Sequence, residues 1–162
     1  MPINCISRQL PYLFIPLVLA TLVLSGCSTP PSAEAPRSNL TRENAIMMAQ
    51  RTAEATGGQV FTIAPTGSMK PTLDENSVVA VETVAFGQLR QGDIIIYRSS
   101  TGVPVVHRLY ERVDGCWFVL GDNNASVDRE AVTPSNLLGR VCAIFYTSSG
   151  QQGNAPAALA QR

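Results

Sequence analysis

The sequence predicts a mainly β protein: a compact, coiled, barrel-like β domain preceded by one short helix. Three observations predict it. From Gln59 onward the chain is a series of short runs rich in Val, Ile and aromatics: "VFTIA", "SVVAVETV", "GDIIIYR", "VPVVHRLYERV", "CWFVLG" and "LLGRVCAIFY". Gly, Pro, Asn or Asp stand between most of them. No long helical periodicity interrupts the series, so strands with short connections are the arrangement that buries their apolar sides.

The elements follow in chain order. "LPYLFIPLVLATLVL", Leu10 to Leu24, is apolar throughout and follows a segment carrying Arg8 and no acid. It is short for a membrane span, and Pro11 and Pro16 weaken a helix, so its length suits the apolar part of a secretory signal. "LSGCS", Leu24 to Ser28, then resembles a bacterial lipobox. On that reading residues 1–26 are removed and Cys27 carries lipid, which anchors the protein to the membrane of a bacterial cell envelope, facing the periplasm or the exterior. Residues 27–40, rich in Pro, Ser and Ala, read as a tether. Residues 41–57 read as a helix: Thr41 offers a capping oxygen, Glu43 lies in the first turn, Ala45, Ile46, Ala49 and Ala53 make one apolar face, and Gly57-Gly58 ends it. The β domain spans 58–147, and 148–162 reads as a disordered tail.

Twelve basic and 12 acidic side chains cancel, which gives no support for a nucleic-acid partner. Of four cysteines, Cys5 leaves with the signal and Cys27 is lipidated. The remaining pair, Cys116 and Cys142, is a candidate disulfide in an oxidising compartment; two buried free thiols is the alternative. There is one histidine and no nucleotide-binding loop, so neither a metal site nor a cofactor is expected.

The chemistry centres on "APTGSMKPTL", Ala64 to Leu73. Ser68 sits in a turn-prone stretch between two prolines, and a serine nucleophile needs a base. The chain has one lysine, Lys70, and one histidine, His107. Lys70 would have to lose its proton by desolvation, which a position between Met69 and Pro71 does not favour. His107 lies in "VPVVHRLYERV", where alternation puts it on one face with Val105 and Leu109. Standing alone it reads as a half-buried structural histidine; taken with Ser68 it reads as the base. Its other ring nitrogen then needs an acceptor. Asp122 and Asp128, in "LGDNNASVDRE", are the candidates, and on the residues alone either fits.

"TGSMKPTL", "GDIIIYR", "VVHRLYER" and "GDNNASVDRE", in this order, resemble the conserved boxes of the type I signal peptidases. His107 before Arg108, where most bacterial members have lysine, is similar to the branch that includes the endoplasmic-reticulum and archaeal enzymes. The resemblance covers about 80 residues, Ile63 to Phe145. It implies the signal-peptidase catalytic core and a serine endopeptidase acting through an acyl-enzyme. Ser68 would be the nucleophile, His107 the base and Asp128 the third member; Thr66 and the Ser68 N–H would form the oxyanion hole, with Asp122 and Gly121 bracing the site. The implied substrate is an extended polypeptide with small residues near the cut. Two departures stand out: the expected tether is lipid rather than transmembrane helices, and only 13 residues separate His107 from Gly121, which leaves no room for the second β domain of the larger bacterial enzymes. A non-catalytic scaffold lipoprotein with this fold, or a self-processing regulatory peptidase, are the competing readings.

Overall fold

The computed structural model describes residues 33–148. The secretory segment, Cys27 with its expected lipid, most of the tether and residues 149–162 lie outside the described residues. One helix, α1 (Arg42–Thr56), precedes six strands: β1 (Gln59–Thr62), β2 (Ser77–Glu82), β3 (Ile94–Arg98), β4 (Pro104–Val113), β5 (Cys116–Leu120) and β6 (Leu137–Tyr146). The helix forms where its caps dictate. The Thr41 side chain accepts from Asn44 N, and Gly57 closes the other end in the left-handed conformation. Among the described residues no helix is long and apolar enough to cross a membrane.

The strands form one antiparallel sheet in the order β1-β2-β6-β3-β4-β5. β2 is buried on both faces, which is why it reads as an unbroken apolar run. Val78 and Ala80 face α1, whose Ala45, Ala49 and Ala53 allow close approach; Val79 and Val81 face Ile63, Met69, Leu73 and Ile96 on the other side. A third cluster gathers Leu89, Ile95, Tyr97, Leu109, Trp117, Val119 and Val132 around β3, β4 and β5.

Three expectations need correction. The sheet is open, not a closed barrel. The chain leaving β5 turns back along that strand's outer edge, where Trp117 and Val132 exchange backbone hydrogen bonds of 3.0 and 2.7 Å. That edge is therefore covered locally rather than by pairing with β1. The Cys116–Cys142 disulfide does not form: Cys142 is a free, exposed thiol, whereas Cys116 is buried. The sheet order explains this, since β3 and β4 lie between β6 and β5. Three strand spacings are about 14 Å, whereas bridged Cα atoms lie roughly 5.5–6 Å apart. Finally, residues 33–40 are not a loose tether. Ala35 is buried, Arg37 Nη1 lies 2.6 Å from Asp74 Oδ2, the Ser38 hydroxyl donates to the Tyr146 carbonyl, and Ser148 N donates to the Leu40 carbonyl at 3.2 Å.

Candidate active site

The segment after β1 carries Ser68 to the surface by anchoring on both sides of it. Ile63, Met69 and Leu73 are buried in one cluster, while Ser68 stays partly exposed. Gly67 turns the chain with φ +73°, a conformation that favours glycine. The turn is also held from outside. Asn123 N donates to the Ser68 carbonyl at 2.8 Å, and Asn123 Nδ2 to the Gly67 carbonyl at 3.2 Å. The approach is so close that a Cβ on Gly121 would stand 2.7 Å from the Ser68 carbonyl oxygen.

His107 comes from β4, opposite Ile95 of β3, on the face that alternation assigns it. It is 6% exposed. Its Nδ1 lies 2.6 Å from Asp128 Oδ2, and its Nε2 lies 3.3 Å from Ser68 Oγ. An ionised carboxylate only accepts, so Nδ1 carries the proton and Nε2 is left to accept the serine hydroxyl. The 3.3 Å separation is at the long end of hydrogen-bond reach. Asp128 reaches the ring because the returning chain pairs with β5, with Asp128 N donating to the Val119 carbonyl at 2.9 Å.

Asp122 does different work. Arg108, next to His107 but on the opposite face of β4, grips it with two parallel bonds, Nε to Oδ1 at 2.8 Å and Nη2 to Oδ2 at 2.7 Å. Thr72 Oγ1 donates to the same carboxylate at 2.5 Å, and Arg108 Nη1 reaches the Gly92 carbonyl at 2.8 Å. Burial pushes the Asp122 carboxyl up, but the bonds from Arg108 and Thr72, with the charge of Arg108, outweigh it and hold the group below its ordinary value. The bond to Asp122 in turn raises Arg108 against the opposing effect of burial. Asp122 thus ties the Thr72 end of the Ser68 segment to β4.

Thr66 Oγ1 lies 3.3 Å from Ser68 Oγ and 3.5 Å from Ser68 N, so its hydroxyl and that N–H stand side by side next to the serine oxygen. Ser68 Oγ has Thr66 and His107 as hydrogen-bond partners; Lys70 is not among them. A groove of about 400 Å³ opens beside Ser68 between residues 61–69 and 103–107, and its floor includes Ile63, Met69, Ile96 and Val105.

Sequence reasoning brought Ser68, His107, Asp128 and Thr66 to one place and missed four others. Tyr97 donates its hydroxyl to Asp128 Oδ2 at 2.9 Å, Arg108 and Thr72 hold Asp122, and Asn123 holds the serine turn. Tyr97 had a usable signal: alternation puts it on the same face of β3 as Ile95, His107's partner. Comparison with known proteins finds no family model that matches the chain and no curated protein sequence with a significant match.

Proposed function

We propose that the protein is a serine endopeptidase resembling the histidine branch of the type I signal peptidases, with that family's catalytic core as its fold. The observation that carries the reading is the single histidine of the chain standing between Ser68 Oγ and a carboxylate, at 3.3 and 2.6 Å. In the proposed reaction Ser68 Oγ attacks a peptide carbonyl carbon while His107 Nε2 takes its proton. The oxyanion is held by the Thr66 hydroxyl and the Ser68 N–H, and a donor of this kind is worth about 3 kcal/mol. His107 then gives the proton to the leaving amine as the C–N bond breaks. Water, deprotonated by the same imidazole, releases the acyl group and regenerates Ser68. Asp128 keeps the ring in the tautomer that both steps need.

The groove fits an extended chain. It is open, lined mostly by apolar side chains, and runs past Ser68 between residues 61–69 and the start of β4. A segment with small or apolar side chains could lie there and pair with the exposed backbone beside β1, the edge strand. Lipid on Cys27 would hold the enzyme at the envelope membrane, where exported polypeptides emerge.

The test is covalent labelling. A fluorophosphonate should modify Ser68 in the purified wild type and not in His107→Ala. A wild type that stays unlabelled, together with unchanged N-termini of secreted and envelope proteins in cells carrying Ser68→Ala, would overturn the reading in favour of a non-catalytic scaffold.

A further inference from the structure

We propose that Tyr97 is a positioning residue, whose hydroxyl fixes the Asp128 carboxylate so that His107 presents Nε2 to Ser68. The inference rests on the serine-peptidase reading and adds a further side chain to the line of Ser68, His107 and Asp128. Asp128 comes from an irregular segment between β5 and β6 and is only partly buried, so its carboxylate is not held by regular structure. The bond from Asp128 N to the Val119 carbonyl fixes its backbone, and the Tyr97 hydroxyl adds a hold on the carboxylate itself. It donates at 2.9 Å to Oδ2, the same oxygen that meets His107 Nδ1 at 2.6 Å. Tyr97 is 2% exposed, and its ring packs with Ile95, Leu109 and Val119. A rigid strand therefore places the donor, as preorganisation demands.

The sheet is irregular beside Tyr97. Where β3 pairs with β6, Ile96 stands opposite Gly139 but Tyr97 stands opposite Leu137, so β6 carries one extra residue at that step. Burial, then the bond to Asp128 and the charges of Asp128 and Glu130, push the phenol well above its ordinary value, so it stays a neutral donor at any working pH.

The bond also draws charge from Oδ2. Without it the carboxylate becomes a stronger partner for the imidazolium, and the acid limb of the reaction moves to higher pH. Besides Asp128, the charged groups that reach this cluster are Asp122, coupled to His107 through space, and Glu130, which acts on Tyr97. Both are unchanged in the test variant.

The experiment follows fluorophosphonate labelling of Ser68 in the full chain against probe concentration and pH. Tyr97→Phe should lower the maximal labelling rate roughly tenfold, the scale of one hydrogen bond to a charged group, with the half-saturating concentration unchanged. Its acid limb should shift upward. In an Asp128→Asn background the same substitution should cost nothing further. Difluorotyrosine at position 97, a stronger donor of nearly the same shape, should shift the limb downward, which keeps the test sharp if Tyr97→Phe folds poorly. Wild-type labelling with Tyr97→Phe indistinguishable from it overturns this inference and leaves the serine-peptidase reading standing. A wild type that does not label overturns both.

Discussion

Asp122 and Arg108 are joined by two parallel hydrogen bonds, of 2.8 and 2.7 Å, one residue along β4 from the histidine that meets Ser68. The planar fork of arginine matches the carboxylate at both oxygens, so the pair fixes orientation as well as distance. With Thr72 on the same carboxylate, it connects the segment that follows Ser68, the strand that carries His107 and the loop that clamps the serine turn. A carboxylate beside the strand that carries His107 can therefore organise this cluster without touching the imidazole.

Asp122→Asn should destabilise the protein by about 2 kcal/mol at neutral pH, since it leaves a half-buried arginine without its counter-charge. The folded protein holds this carboxyl below its ordinary value, so its contribution is fully present above the unfolded value, about 3.9, and is lost as pH falls through the lower folded value. Urea unfolding from pH 7 down to pH 3 should show the gap between wild type and variant narrowing at the acid end. A gap that is constant with pH would mean that the ion pair is not its source.

On the proposed serine-peptidase reading, Ser68→Ala and His107→Ala should each lower peptide cleavage at least a thousandfold while near-native unfolding midpoints are kept. Lys70→Ala should cleave within about twofold of wild type, because Lys70 is not a hydrogen-bond partner of the Ser68 hydroxyl. An inactive Lys70→Ala beside an active His107→Ala would reassign the base to lysine.

The parts legible in the sequence are those set by local periodicity. Short apolar runs gave the strands, Thr41 and Gly57 gave the helix ends, and alternation gave the face of His107. The parts that were not legible depend on how strands are ordered and which segments meet. Counting the cysteines left after the signal and the lipid site pairs Cys116 with Cys142, but two strands from earlier in the chain lie between β5 and β6. Closure into a barrel is plausible from strand number and fails because the chain after β5 takes that strand's free edge. Composition makes residues 33–40 look like a linker; the partner that docks Arg37 is Asp74, 37 residues away. Asp128 could be chosen over Asp122 only by resemblance, since the choice turns on which carboxylate Arg108 occupies.

Gly121→Ala should damage the site through shape alone. The added methyl would stand 2.7 Å from the Ser68 carbonyl oxygen, and about as close to the Asn124 side chain. The side chain can rotate away, but the carbonyl belongs to the turn that aims the serine. The expected outcome is a loss of about 1–3 kcal/mol, the cost of overpacking, together with a fall in the Ser68 labelling rate larger than that of Asn124→Ala. Equal labelling by Gly121→Ala and wild type would show that the turn adjusts without moving the hydroxyl.

The segment before the helix is docked through an ion pair with a buried carboxylate. The Asp74 side chain is fully buried and meets Arg37 Nη1 at 2.6 Å, while its other oxygen accepts from Asn76 N and the Ser77 hydroxyl. Burial alone would raise this carboxyl, but the bonds from Arg37, Asn76 and Ser77 and the arginine charge outweigh it and leave it lowered. Arg37→Ala should therefore cost about 3 kcal/mol at neutral pH, because a buried charge loses its partner. The loss should shrink as pH falls below the ordinary carboxylate range, where Asp74 takes up a proton in either state. Arg37→Ala combined with Asp74→Asn should recover part of the loss, since the second change removes the charge that the first strands. Asp74 follows Leu73, a buried anchor of the Ser68 segment, so undocking residues 33–40 should also slow Ser68 labelling. Thermal unfolding and labelling of the single and double variants check both effects. An additive double variant, with Ser68 reacting at the wild-type rate in all three, would show that the segment is a surface passenger with no hold on the site.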